Sequence, residues 1–123
     1  MKLTNQSIYT YALNLYEKFS DGEQKFPIKI NFYLQKNKKL LAELASDIEQ
    51  SRDEIIAEYG KLNENGNGYI IPEEHLESAQ KEINDLLSLE QDVNIYMVNI
   101  NSFPDDMNLT SEQMEALMFM IEE

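Results

Sequence analysis

Asparagines at alternating positions, followed by a glycine and a more distant glutamate, come closest to a chemical site in this sequence. In an EF-hand loop, side-chain oxygens at positions 1, 3 and 5, a backbone carbonyl at position 7 and a glutamate at position 12 bind calcium. A glycine at position 6 makes the sharp turn. Here positions 1, 3, 5, 6, 7 and 12 are Asn63, Asn65, Asn67, Gly68, Tyr69 and Glu74. This spacing predicts a weak calcium-binding module through residues 63–74.

The same stretch also fits a simple β-hairpin turn. Asn63 stands where calcium loops carry aspartate, and Glu74 is the one carboxylate among the six positions, so affinity for a divalent cation would be low. Asn65-Gly66 is a strong turn signal because both residue types tolerate positive φ. Tyr69–Ile71 then has high β-propensity. We therefore expect a hairpin turn here and keep calcium binding as an alternative.

Other residue types that carry chemistry are scarce. His75 is the only histidine, there is no cysteine, and the four glycines are scattered. These counts exclude a thiol enzyme, a histidine-rich zinc site within one chain and a glycine-rich phosphate loop. Carboxylates are plentiful, but spacing singles out no pair of them as an acid–base site. We expect no enzyme activity and no cofactor.

The charge of this 123-residue chain is strongly negative and unevenly distributed. The formal net charge is −13. Residues 1–39 carry seven lysines against three acidic residues, whereas residues 40–123 carry three basic residues against twenty acidic ones. A strongly acidic surface repels the phosphate backbone, so we expect no direct binding of nucleic acid. Such a surface suits a basic region of another protein, or it keeps the protein in solution.

The side chains discussed above must be positioned by a long helix. This helix is predicted from Pro27 to Tyr59, after a polar loop over residues 20–26. Pro27 suits its first turn, and Gly60 suits the left-handed conformation that ends many helices. Apolar residues recur at steps of three, four or seven and form one stripe. They are Leu41, Leu44, Ile48, Ile55 and Tyr59. Residues 28–34 are apolar almost all round, so we expect both sides of that part to be covered.

Two further helices have clear apolar periodicity. The first is predicted over about residues 5–19, and either Thr4 or Asn5 can cap its free N–H groups. The other is predicted over about residues 72–89. It should fold back antiparallel on residues 41–59, because the connection between them is short.

The last third of the chain predicts an extended segment and then a closing helix. Residues 92–100 alternate with period two and contain β-branched residues, which indicates a strand that pairs with Tyr69–Ile71 or lies along the helices. Thr110 and Gln113 form a capping box for a helix that runs to the C-terminal glutamates, which should fray. Its predicted buried residues are Met114, Leu117, Met118 and Ile121, whereas Met120 fits the stripe less well.

Together these elements predict a mainly α fold with a minor β element. The long central helix forms an antiparallel helical hairpin, a short β-hairpin or extended segment follows, and N- and C-terminal helices pack on the long helix. We expect one helical domain over residues 1–123. The sequence has no charged-then-apolar leader and no run of ~18 apolar residues, so we expect a cytoplasmic protein with no membrane partner.

Several short motifs resemble a family of small phage and prophage proteins of uncharacterised function. The similar stretches are Phe26-Pro27-Ile28-Lys29-Ile30, Tyr59-Gly60, Glu64-Asn65-Gly66, Ile71-Pro72-Glu73-Glu74, Glu90 to Ile95, and Leu109 to Glu122. The resemblance covers most of the chain. It implies a phage-encoded protein acting in the cytoplasm of an infected bacterium. It implies no particular activity.

These observations lead to three hypotheses about function. The first is a non-catalytic interaction protein that binds or inhibits a host protein through an acidic helical-hairpin surface, with Glu43, Asp47, Glu77 and Asp85 as its predicted contact residues. The second is a component of phage virion assembly, and the third is the calcium-binding module. We also expect a homo-oligomer, most simply a dimer, because the long helix offers more apolar stripe than the first and last helices can cover.

Overall fold

A computed structural model describes residues 1–19 and 26–123, and the predicted loop over residues 20–26 lies almost wholly outside them. The helices are α1 (Asn5–Lys18), α2 (Ile28–Tyr59), α3 (Glu73–Ser88) and α4 (Ser111–Leu117). The strands are β1 (Lys2–Thr4), β2 (Lys61–Leu62), β3 (Tyr69–Ile70), β4 (Glu90–Asp92), β5 (Val98–Asn99) and β6 (Ile121–Glu122). The mainly α fold with a minor β element is confirmed.

The long helix α2 is unbroken, as predicted, and α1 and α3 pack along it. Its buried side chains recur every three or four residues. They are Ile30, Leu34, Asn37, Leu41, Ala45 and Ile48. Leu41 has no exposed surface and Ile48 is also buried, so α1 and α3 cover much of the predicted stripe within one chain. The stripe therefore gives a weaker reason for a second copy than the sequence suggested.

Gly60 ends α2 for a different reason from the one predicted. Its φ is −96°, which is extended rather than left-handed backbone. The Gly60 N–H donates to the Ile56 carbonyl at 2.7 Å, and a Cβ at Gly60 would lie 2.6 Å from that carbonyl oxygen and 3.1 Å from the Tyr69 Cβ. A glycine is required here because a side chain would collide with the Ile56 carbonyl oxygen of α2 and crowd Tyr69 of the following hairpin.

The start of α1 shows which of two candidate residues caps the helix. Thr4 is the cap, and its hydroxyl accepts a hydrogen bond from the Ser7 N–H at 3.1 Å. Asn5 is buried and serves another purpose. Its side-chain amide donates to the Leu86 carbonyl at 2.8 Å, and its side-chain oxygen accepts from Gln91 at 2.8 Å. Asn5 therefore ties the start of α1 to the end of α3.

The predicted turn after α2 is a β-hairpin, in which β2 pairs antiparallel with β3. Gly66 in this turn has a φ of +71°, which a residue with a side chain rarely adopts. The Asn63 carboxamide closes the turn by donating to the Asn67 side-chain oxygen at 3.0 Å, and the Asn63 N–H donates to the Gly68 carbonyl at 2.9 Å. The asparagine and glycine signals in the sequence therefore gave the right local structure.

The predicted strand over residues 92–100 is wrong as a single element. β4 pairs antiparallel with β1, and β5 pairs in parallel with β6. Between them the Ile95 N–H bonds to the Val93 carbonyl at 3.1 Å, which is a three-residue turn that breaks the extended chain. Both Val93 and Val98 are buried, although they are five residues apart and would face opposite sides of one continuous strand.

A buried asparagine on α2 holds this broken segment in place. The Asn37 side-chain amide donates to the Tyr96 carbonyl at 3.0 Å, and the Asn37 side-chain oxygen accepts from the Tyr96 N–H at 2.8 Å. Asn37 has no exposed surface. Both backbone groups of Tyr96 are therefore satisfied by one side chain rather than by a neighbouring strand, which explains how this segment lies against a helix.

The predicted buried face of the last helix is partly wrong. The capping box between Thr110 and Gln113 is present, but α4 gives way to a 3-10 turn at Met118–Met120 and then to β6. A 3-10 turn has three residues per turn, so it rotates the following side chains relative to an α-helix. Met120, three residues after the buried Leu117, lies on the same side and is buried, whereas Met118 is exposed together with Met114; this is the reverse of the prediction for Met118 and Met120.

Other predictions for this helix also differ from the structure. Leu117 is buried as predicted, but Met114 is exposed and Ile121 is only partly buried. Glu122 lies in β6 rather than at a fraying helix end, because Ile121–Glu122 pairs with Val98–Asn99.

The first turns of α2 are open to solvent on one side, contrary to the prediction for residues 28–34. Ile30 and Leu34 are buried, whereas Ile28 is 88% exposed and Phe32 is 54% exposed. The described segments that cover α2 lie on one side of it, so its opposite face keeps these two apolar side chains uncovered.

Candidate functional site

The four predicted contact residues are all exposed, and they lie on the two packed helices α2 and α3. Glu43 and Asp47 are four residues apart on α2, so they lie on adjacent turns of the same face. Glu77 and Asp85 are eight residues apart on α3, a little over two turns. The structure thus places all four on the surface of the predicted helical hairpin.

Further exposed carboxylates extend this surface, which we call the acidic surface. On α2 they are Asp53, Glu54 and Glu58, and on α3 they are Glu73 and Glu74. The two acidic residues in the first turn of α3 also interact favourably with the helix dipole there. The acidic surface therefore follows both helices instead of forming one compact cluster.

Few of these carboxylates are neutralised by basic side chains. Within residues 1–19 and 26–123, the close contacts between acidic and basic side chains that involve α2 or α3 join Arg52 to Asp53 at 3.8 Å and His75 to Glu74 at 3.7 Å. The Arg52 guanidinium also lies 6.0 Å from the ring centre of Tyr9 on α1, in a cation–π contact. In the described part of the chain, none of the four predicted contact residues has an ion-pair partner.

A small group of polar side chains lies where the C-terminal end of α2 meets α3. The Tyr59 and His75 rings are 6.0 Å apart. The Glu82 carboxylate raises the pKa of Tyr59, because ionising the phenol would lose its hydrogen bond to Glu82 and bring two negative charges together. One Glu82 oxygen, Oε2, is buried without a hydrogen-bond partner. This group joins the helices rather than forming an open cleft, since Glu82 points into their contact.

The predicted calcium ligands are mostly engaged in the hairpin. The Asn63 and Asn67 side chains bond to each other, and the Asn63 side-chain oxygen also accepts from the Asn67 N–H at 3.3 Å. Glu74 belongs to the first turn of α3 and lies 3.7 Å from His75. Among the described residues, no group of three histidine, cysteine, aspartate or glutamate side chains is arranged to hold a metal ion.

Sequence reasoning missed an exposed apolar and basic region on the N-terminal half of α2. Ile28 and Phe32 project from the face opposite the buried stripe, and Lys36 Nζ lies 5.3 Å from the ring centre of Phe32. Lys29 Nζ lies 5.7 Å from the ring centre of Tyr33. The signal was present in the sequence, because Ile28 and Phe32 are four residues apart and out of phase with Ile30 and the rest of the buried stripe.

Comparison of this chain with protein-family models, with curated proteins and with solved structures gave no match. The candidate site therefore rests on its own geometry. In the part of the chain that the structure describes, no helix has the length and apolar character needed to cross a bilayer.

Proposed function

We propose that this is a non-catalytic interaction protein that binds a basic surface of another protein through the acidic surface of α2 and α3. The observation that supports the proposal is the row of exposed carboxylates, most of which have no cationic partner among the described residues. Such charges attract a basic partner over about 8 Å at physiological ionic strength and raise the rate of encounter.

The shape of the acidic surface favours a protein over a small molecule as the ligand. Carboxylates are spread along α2 and α3, and a partner must be extended to contact Glu43, Asp47, Glu77 and Asp85 together. Small-molecule sites are usually concave and bury most of their ligand, whereas protein interfaces extend over about 800 Å² on each partner. A nucleic acid is disfavoured because its phosphates would be repelled.

The proposed setting is the cytoplasm of a bacterium infected by a phage, where the partner is a host protein. The sequence motifs that resemble phage and prophage proteins support this setting. A host enzyme that normally holds nucleic acid has a basic surface, so it is one class of partner that the acidic surface would fit. Blocking that surface would inhibit the enzyme without any catalysis by this chain.

Capture from bacterial lysate tests the proposal, with immobilised wild-type protein and a variant that carries Glu43→Lys, Asp47→Lys, Glu77→Lys and Asp85→Lys. The matched control reverses four exposed acidic residues outside α2 and α3, namely Asp105, Asp106, Glu115 and Glu123. Both variants change the net charge by the same amount. We expect a partner that is captured by the wild type and the control, is lost with the α2–α3 variant, and is released by salt.

Equal capture by all three proteins would reject the acidic surface as the contact. Circular dichroism of each variant should first show the same helical content, because all eight positions are exposed and substitutions there rarely change stability by more than about 0.5 kcal/mol.

A role in virion assembly is the second candidate, and it is favoured by the opposite charges at the two ends of α2. Lys29 and Lys36 lie on its N-terminal half, and Glu54 and Glu58 lie on its C-terminal half. Copies of the chain could use these charges to associate. Finding the protein in purified phage particles, or a large ring by light scattering, would favour this function over host binding.

A further inference from the structure

The face of α2 that points away from α1 and α3 has two different ends, and we call it the outer face. At its N-terminal end Ile28 and Phe32 are exposed, and we call these two side chains the knob. Lys29 and Lys36 flank the knob, with Lys36 Nζ over the Phe32 ring at 5.3 Å. Because Ile28 and Phe32 are four residues apart on one helix face, they form one continuous apolar patch with a basic border.

At its C-terminal end the outer face forms a shallow groove, because the β2–β3 hairpin places Tyr69 beside α2. Gln50 and Ala57 line this groove together with Tyr69. Asp53 and Glu54 form its acidic border. Tyr69 is 48% exposed, so its ring offers an open apolar wall. The groove thus offers the apolar surface of Ala57 and Tyr69 to the knob, with acidic side chains around it that are opposite in charge to Lys29 and Lys36.

The knob and the groove lie on the same side of α2. Ala57 follows Ile28 by 29 residues and Phe32 by 25 residues, which are about eight and about seven turns of 3.6 residues. On a straight helix Ile28 and Phe32 therefore each point within about 20° of the direction of Ala57, one to either side of it. Along the axis the knob and the groove are about 37–44 Å apart, at about 1.5 Å per residue. The knob and the groove of one copy therefore cannot meet each other. A two-fold axis near Glu43 would bring the knob of one copy to the groove of a second copy.

Charges at the two ends of the outer face match in the same antiparallel arrangement, whereas the two exposed Glu43 side chains lie near each other at the two-fold axis. Lys29 of one copy would lie near Glu54 and Glu58 of the other, because these positions are symmetric about the middle of the helix. Lys39, which is exposed near the centre, would lie near Asp47 of the other copy. A parallel arrangement would instead place lysines against lysines and carboxylates against carboxylates, which is repulsive.

We propose that two copies of this chain pair antiparallel along the outer faces of their α2 helices, with the knob of each in the Tyr69 groove of the other. This is a self-complementary two-fold interface, the commonest kind in homodimers. A strip about 44 Å long and about 12 Å wide gives about 500 Å² from each copy, before the hairpin is counted. That area is at the low end for specific interfaces, so the dimer should dissociate in the micromolar range and weaken with salt.

This inference does not rest on the proposed function, because it concerns the purified chain alone. The paired helices leave Glu77 and Asp85 on α3 open, whereas Glu43 would lie at the two-fold axis and Asp47 near Lys39 of the second copy. A partner that needs Asp47 would therefore compete with the second copy, and its capture would fall as the concentration of this protein rises.

Analytical ultracentrifugation over about 1 to 500 μM tests the dimer, a range chosen to span the expected dissociation constant. We expect the mass to rise from the 14.4 kDa of one chain towards twice that value. Phe32→Glu should keep the protein monomeric over this range, because the new carboxylate would meet the acidic border of the groove. Tyr16→Glu is the matched control: Tyr16 is an exposed aromatic on α1, and its replacement should leave the dimer intact.

Charge reversal gives a second test that depends on the antiparallel register. The variant Lys29→Glu/Lys36→Glu and the variant Glu54→Lys/Glu58→Lys should each be monomeric, because each places like charges opposite one another. An equimolar mixture of the two should form a heterodimer, since the reversed positions then face opposite charges at both ends of the interface. A wild-type protein that stays monomeric throughout, a Phe32→Glu variant that still dimerises, or a mixture that does not associate would each overturn the proposal.

Discussion

Replacing Asn37 with alanine should destabilise the protein by about 2–4 kcal/mol, because this one side chain bonds both backbone groups of Tyr96. The distances are 2.8 Å from the Tyr96 N–H to Asn37 Oδ1 and 3.0 Å from Asn37 Nδ2 to the Tyr96 carbonyl. A buried polar group left without a partner costs about 1–3 kcal/mol. Because Tyr96 is 41% exposed, water can reach its N–H and carbonyl, so each of these groups should cost a value near the lower end of that range. The lost packing of a side chain with no exposed surface adds to this.

Asn31→Ala is the matched control for this substitution. Asn31 is an exposed asparagine on the same helix, and its replacement should change stability by less than about 0.5 kcal/mol. Urea unfolding followed by circular dichroism measures both values, and a shift in midpoint at constant slope reports stability alone. Native-state hydrogen exchange adds a local test, because the Tyr96 amide should lose protection in Asn37→Ala and keep it in Asn31→Ala.

Either of two results would contradict this role of Asn37. One is a destabilisation of less than about 0.5 kcal/mol, which would mean that water replaces both hydrogen bonds at no cost. The other is unchanged protection of the Tyr96 amide, which would mean that Asn37 does not hold this segment against α2.

Three further predictions address the C-terminal region, one ion pair and the hairpin. Met120→Ala should destabilise the protein by about 2–5 kcal/mol in the same unfolding assay, whereas Met118→Ala should cost less than about 0.5 kcal/mol, because only Met120 is fully buried. The Lys18 ammonium lies 2.9 Å from the Glu112 carboxylate and lowers the pKa of Glu112 by hydrogen bonding and by charge. NMR titration should find the pKa of Glu112 below 4.5 in the wild type and nearer 4.5 in Lys18→Met. The stabilisation from this pair should be present above the unfolded-state pKa of Glu112 and be lost as the pH falls through its folded-state pKa. Calorimetric titration with calcium should give no heat at about millimolar ion, because the loop over residues 63–74 has one carboxylate at a ligand position; a saturable signal would restore the calcium alternative.

Local signals in the sequence predicted much of the helical framework. The absence of glycine and proline between Pro27 and Gly60 is the reason that α2 is continuous, and the capping box at Thr110 is present as expected. The turn at Asn65-Gly66 is likewise a β-hairpin. Each of these signals acts over a few residues, through backbone conformation or a nearby hydrogen bond, so no knowledge of distant contacts was needed.

The candidate site could be predicted only in part. The exposure of Glu43 and Asp47 follows from their position away from the apolar stripe, and a carboxylate is rarely buried without a partner. The exposed knob of Ile28 and Phe32 was missed, because apolar residues in a helix are ordinarily taken to be buried. The phase of these two residues relative to the buried stripe was a signal of exposure, but it was outweighed by the expectation that an all-round apolar turn is covered on every side.

What the sequence by itself determined is the set of helices, the hairpin turn and the division of charge between the two ends of α2. What only the tertiary structure decided is how distant segments meet: β1 with β4, β5 with β6, and Asn37 with Tyr96. Short strands and single buried polar groups have little intrinsic preference for one partner over another. Packing around the core therefore selects which segments they meet. That packing buries Met120 and leaves the outer face of α2 exposed.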